Sequence, residues 1–265
     1  MAQQVSPTAG TVISAVKILI TESGLCAFEC GGRTLLYSGP EREIRRSLRI
    51  LGNHDRAFAQ THDLPVLPLK MIDQTKVGRW LDKLDAGRGI YTFFSFVYNK
   101  DPEKARFHAD QVMRFVSREF AKTCYGDIET AVCGADLNNV FFEVELPELI
   151  RNDKIKTINK LPMQRIRDIY LTQGAYVAHR EICKAELQLL KDRENSPCGE
   201  EIKQDRKDRF KFFRKACKET FKKIKARERK VMEHLGPNRP HVMTGKPIRT
   251  MAPKAPYQAL SVQYG

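Results

Sequence analysis

Two pairs of carboxylates are spaced to do chemistry. Glu143 and Glu145 alternate within residues 140–146, and Asp127 and Glu129 alternate within residues 127–133. Both segments read as strands, in which residues two apart share a face. Each pair could therefore hold Mg²⁺ for phosphodiester hydrolysis, the chemistry of a metal-dependent nuclease. That chemistry needs a complete constellation, and no companion lysine stands beside either pair. Salt partners or solvent are the competing account.

The cationic residues give a second chemistry. The run Lys203–Lys230 holds fourteen Lys/Arg against four Asp/Glu, a net of +10, while residues 1–150 hold eighteen basic and nineteen acidic side chains, a net of −1. So uneven a distribution predicts a polyanion partner and says which part of the chain meets it. The candidate phosphate contacts are Lys211, Arg214, Lys215, Lys218, Lys222, Lys223, Lys225, Arg229 and Lys230. Lysine slightly exceeds arginine here, which suits attraction to phosphates more than bidentate reading of bases. A second cluster, Arg42, Arg45, Arg46, Arg49 and Arg56, is a candidate auxiliary contact, and a basic arm that includes Arg249 adds to it. Phe212 could stack on a base, with core packing as the competing account.

Gly52-Asn53-His54-Asp55 resembles one motif of the calcineurin-like metallophosphoesterases, whose G-N-H-[DE] supplies metal ligands. The upstream D-x-H and the downstream G-H-x-H of that family are absent. GNHD is therefore read as a helix-terminating turn. The seven cysteines include no C-x-x-C pair and no neighbouring His at zinc-ligand spacing. Reduced, mostly buried thiols are expected, with no metal and no cofactor. There is no P-loop, no dinucleotide glycine fingerprint and no G-x-S-x-G.

The elements that must position these residues fall into two textures. Residues 1–10 read as a flexible N-terminus. Val12–Thr21, Leu25–Cys30 and Arg33–Tyr37 read as a three-stranded meander, and Glu41–Leu51 as a helix stopped by Gly52. Ile90–Tyr98 (IYTFFSFVY) reads as the central strand. Asp101 and Pro102 open a helix with Phe107, Val112, Phe115, Val116 and Phe120 on one face. With strands at 127–133 and 140–146, residues 11–150 are expected to form an α+β domain, a mostly antiparallel sheet with packed helices. Residues 151–162 read as a linker, 163–235 as a basic helical hairpin with a weak point at Gly174, and 236–265 as a Pro-rich basic tail. In the second helix of that hairpin, Phe210, Phe213, Cys217, Phe221, Ile224, Val231 and Leu235 form a single stripe expected to be buried.

The function expected from this reading is non-catalytic binding of nucleic acid through backbone phosphates, with RNA ahead of DNA because the sheet-plus-helix order and the aromatic strand at 90–98 resemble RNA-binding sandwiches at fold level. The rivals are a scaffold whose basic helix meets an acidic protein or membrane surface, and the nuclease above. No apolar stretch approaches the roughly 18–20 residues of a membrane-spanning helix, and the N-terminus lacks the pattern of a signal peptide. An intracellular location is therefore expected, cytoplasmic or, for a DNA-associated protein, nucleoid or nuclear.

Overall fold

A computed structural model describes residues 7–28, 33–38, 46, 49–52, 54–55, 57, 59, 69–84, 89–133, 139–196 and 198–235. The chain is a mixed α/β protein, and its largest difference from expectation begins at the N-terminus. Ala9–Ser23 is a helix, α1, capped by Thr8, whose side chain accepts from the Thr11 backbone. Its buried residues Ala9, Val12 and Val16 are three and four apart, so this β-branched segment follows the helical period and not the strand period. Ala9 and Gly10, expected to be flexible, are already helical. Gly24, at φ 54°, ends the helix, and a 3₁₀ turn, Gly24–Ala27, follows where a strand was expected.

Arg33–Tyr37 forms strand β1, and Leu69–Lys70 forms the short strand β2. Between them, residues 46, 49–52, 54, 55, 57 and 59 are helical. Gly52 therefore does not stop a helix, and Gly52, His54 and Asp55 of the GNHD string are helical, while Asn53 lies outside the described residues. Helix α2, Lys76–Asp82, is capped by Thr75. The segment expected as the central strand is instead helix α3, Gly89–Val97, with Ile90 and Phe94 buried four residues apart. A continuous apolar run carries no periodicity that separates a buried strand from a buried helix. Helix α4, Pro102–Thr123, begins as expected at the Asp101 cap, which accepts from Lys104 N–H at 2.9 Å. Its buried face is Ala105, Ala109, Val112, Val116 and Phe120; Phe107, expected on that face, is exposed.

Gly126–Ala131 is strand β3. The expected strand at 140–146 is a π-helical turn, Phe141–Glu145, running into helix α5, Leu146–Arg151. The expected linker contains two strands, β4 (Ile155–Ile158) and β5 (Leu161–Pro162). The expected long helix from 163 is divided at Gly174, φ 93°, into α6, Met163–Gln173, and α7, Ala175–Asp192. Helix α8 then runs from Gly199 to Leu235.

The sheet order is β2-β1-β3-β4-β5. β2, β1, β3 and β4 run parallel, and only β5 is antiparallel to its neighbour. The sheet is thus mostly parallel, a correction of the antiparallel reading. The two corrections are linked. Parallel neighbours cannot be joined by a tight turn and need long crossovers, and two of the segments expected as strands, at 90–98 and 140–146, are helical and lie between strands of the sheet, while α1 precedes it. Adjacent residues of β1 enter different cores. Leu36 joins Val16, Phe94, Phe120, Ile128 and Ile182, while Leu35 joins Ile50, Leu51, Leu190 and Ile202. Both faces of the sheet are covered, as a parallel sheet requires.

Candidate nucleic-acid interface

Helix α8 follows the turn at 193–198 and packs on α7. Its docked side matches the phenylalanine stripe expected from the sequence only in part: Phe213 and Cys217 are half-buried, Phe210 is exposed, and the side chains of Phe221, Ile224, Val231 and Leu235 lie outside the described residues. Ile202, Asp205, Arg209 and Thr220 are buried, with Phe213 packed against the core, whereas Phe210 is 46% exposed. A polar network sets this rotation of the helix about its axis. Arg209 Nη1 donates to Glu186 Oε1 of α7 at 2.6 Å, and Arg209 Nε lies 2.9 Å from Asp205 Oδ2. The other oxygen of Glu186 accepts from Val132 N–H at 2.7 Å and from the Thr130 hydroxyl at 3.2 Å. Asn159 completes the network, accepting from Thr130 N–H and donating to the Thr130 hydroxyl. The guanidinium and carboxylate thus compensate each other's loss of hydration and tie α8 through α7 to β3.

Burying Arg209 turns the opposite side of α8 to water. Lys207, Lys211, Arg214, Lys215, Lys218 and Lys222 are exposed there, each three or four residues from another, more than one charge per 5.4 Å turn. Lys211 lies 3.5 Å from Asp208, while Arg214, Lys215, Lys218 and Lys222 make no ion pair among the described residues. Lys223 is also exposed but, fourteen residues from Arg209, it lies off this row. Lys225, Arg229 and Lys230 belong to the helix, but their side chains lie outside the described residues. Arg214 caps the exposed Phe210 ring, 5.9 Å from its centroid. Phe210 is therefore the accessible aromatic of this surface, and Phe212, the expected candidate, is half-buried.

The second basic cluster comes close to the first. Arg46 Nη1 donates to Asp208 Oδ2 at 2.8 Å, on the same carboxylate that Lys211 approaches. Partial burial opposes ionisation of Asp208, but hydrogen bonds from Gln204 and Arg46 hold its carboxyl below the ordinary range. Arg49 is exposed. Arg42, Arg45, Arg56 and Arg249 lie outside the described residues.

The candidate carboxylates are not gathered. Glu143 pairs with Arg114 at 2.5 Å, Glu129 with Arg193 at 2.7 Å, and Asp127 accepts from the Thr157 hydroxyl at 2.8 Å. Glu145 is buried. Among the described residues, no three His, Cys, Asp or Glu side chains are grouped to hold a metal. His54 is buried, with Nδ1 3.3 Å from Asp55 Oδ1; His62 and Asp63 lie outside the described residues.

Two constellations were missed. One is the Arg209–Glu186 pair, whose partners are far apart in sequence and carry no local signal. The other is Cys133, His179 and Cys183, with Cys183 Sγ 3.7 Å from His179 Nε2; its i, i+4 spacing was legible on a helix. Burial pushes the Cys183 thiol up, but Cys133 and His179 outweigh it and bring it below its ordinary range. Both cysteines are sealed from solvent, which withholds them from nucleophilic chemistry. Among the described residues no helix is long and apolar enough to cross a membrane. The sequence matches no protein-family model, and no curated protein is significantly similar to it.

Proposed function

We propose that this protein binds nucleic acid without catalysis, holding the phosphate backbone on the outer side of α8. The observation that carries the reading is the row Arg214, Lys215, Lys218 and Lys222, exposed and without ion-pair partners among the described residues. Such a row repels itself and gains most from a polyanion whose counterions it releases. Arg46 and Lys211, which share Asp208, extend the surface toward the second basic cluster.

The aromatic strand that favoured RNA is helical, so that ground for the preference is gone. Support for RNA now rests on Phe210 beside Arg214, a surface on which an unpaired base can stack. A filter-binding titration over a range of salt tests the proposal. Affinity for a single-stranded RNA should fall linearly on logarithmic axes, and the triple variant Lys215→Gln, Lys218→Gln, Lys222→Gln should flatten the slope by about 2, at about 0.7 per phosphate contact on single strands. Binding that is insensitive to salt, or unchanged in the triple variant, would exclude this surface. Salt-sensitive binding to anionic vesicles or acidic proteins, with none to RNA or DNA, would favour the scaffold reading instead.

A further inference from the structure

A second site lies at the carboxyl end of β1, independent of the cationic helix. In sequence order, the chain leaves β1 for β2 on one side of the sheet and leaves β3 for β4 on the other. The gap between the ends of β1 and β3 is therefore a topological switch point, where open parallel sheets leave a crevice for ligands. A cavity of about 170 Å³ opens beside the carboxyl end of β1, on the β1 side of this switch point, lined by Tyr37, Tyr91, Met113, Ser117, Phe120 and Glu145. An apolar cavity of about 150 Å³ accepts benzene in another protein, so this one has room for a ring or a short hydrocarbon chain.

Glu145 makes the cavity more than a packing defect. It is 6% exposed, and its Oε2 has no hydrogen-bond partner. The Ser117 hydroxyl donates to the carboxyl group and is the one favourable contact that acts strongly on it; burial dominates and pushes the acid up to about 8. Glu145 closes the π-helical turn, a distortion that frequently occurs at functional sites. Burial pushes the Tyr37 phenol up, and the nearby acids Asp73, Glu145 and Asp82 push it further. A cation placed against the unpartnered oxygen would favour ionisation of the acid, its proton passing to solvent, and leave an ion pair among the aromatic walls. A divalent metal would need several oxygen ligands, and among the described residues Glu145 is the one carboxylate in the lining. An organic ammonium needs one carboxylate and is attracted to ring faces as well.

We propose that this cavity binds a small primary amine with an apolar body, its ammonium on Glu145 Oε2 and its hydrocarbon against Tyr37, Tyr91 and Phe120. The test is calorimetric titration of the full chain with benzylamine and with benzyl alcohol, a neutral analogue of the same shape. Benzylamine should bind at least tenfold more tightly than the alcohol. Glu145→Gln, which keeps the shape and removes the charge, should cost the amine at least tenfold and leave the alcohol unchanged. Circular dichroism of Glu145→Gln should match the parent, so that a loss of affinity is not a loss of fold. Amide chemical shifts that move near Tyr37 and Ser117 on addition of benzylamine would locate the site. Equal affinity for amine and alcohol, an amine affinity that ignores Glu145→Gln, or no benzylamine binding by the folded parent would each overturn the proposal. None of these outcomes bears on nucleic-acid binding, which uses other residues.

Discussion

Glu186 and Glu145 are both buried glutamates beside the ends of sheet strands, yet their surroundings differ. Glu186 has Arg209 on one oxygen and Val132 N–H with the Thr130 hydroxyl on the other. Glu145 has the Ser117 hydroxyl and an oxygen with no partner, and it lines an open cavity. Removing a carboxylate from water is costly unless hydrogen bonds and an opposite charge replace the water. At Glu186 the fold supplies that replacement, and the group serves structure by locking α8 to α7. At Glu145 the fold leaves it out, and the group is held ready for something from outside.

Removing the Glu186 partner breaks the comparison from the satisfied side and carries the largest expected effect. Arg209→Met should destabilise the fold by about 3–5 kcal/mol in urea unfolding, because it strands a buried charge. The double variant Arg209→Met, Glu186→Met should recover only part of that loss, because it removes the stranded Glu186 charge but leaves Asp205 and the Val132 N–H without these partners. A double variant as unstable as Arg209→Met would show that the pair does more than satisfy itself.

The unsatisfied side should appear in pH dependence. The folded acid at Glu145 titrates at about 8 against an ordinary 4.5, so between those values the folded chain holds a proton that the unfolded chain has released. Its contribution to stability is complete below 4.5, declines as pH rises, and is gone once pH passes about 8. At about 1.4 kcal/mol per pH unit, the decline reaches about 3 kcal/mol by pH 7. Urea midpoints compared between pH 5 and pH 8 should show this fall in the parent, and Glu145→Gln should remove it. An equal fall in Glu145→Gln would place the titrating group elsewhere.

The smallest effect on stability belongs to the outer side of α8. The triple variant at Lys215, Lys218 and Lys222 should unfold within about 0.5 kcal/mol of the parent, as exposed positions without partners do, even though its salt-dependent RNA binding is altered. A large loss of stability there would mean that these lysines make contacts within the fold.

What could be read along the chain was what depends on near neighbours. Asp101-Pro102 announced α4 because a cap and a first-turn proline act within one turn. The cations of α8 were countable, and their helical steps were visible. Ile90–Tyr98 was not legible, because an unbroken apolar run looks the same as strand or helix, and packing of Ile90 and Phe94 decides it. Ile155–Ile158, four residues including a lysine, looked like linker, and becomes a strand only because β3 is there to pair with it.

The same division applies to the two sites. Composition and spacing alone establish that the last third of the chain carries the excess positive charge on a helix, because charge and period are local properties. Which side of that helix faces water follows from Arg209 meeting Glu186, twenty-three residues away. Glu145 as an acid in want of a partner follows from a cavity at the end of a parallel strand, which no spacing along the chain encodes. Burial and charge compensation are relations between distant segments, and they exist only once the sheet has brought those segments together.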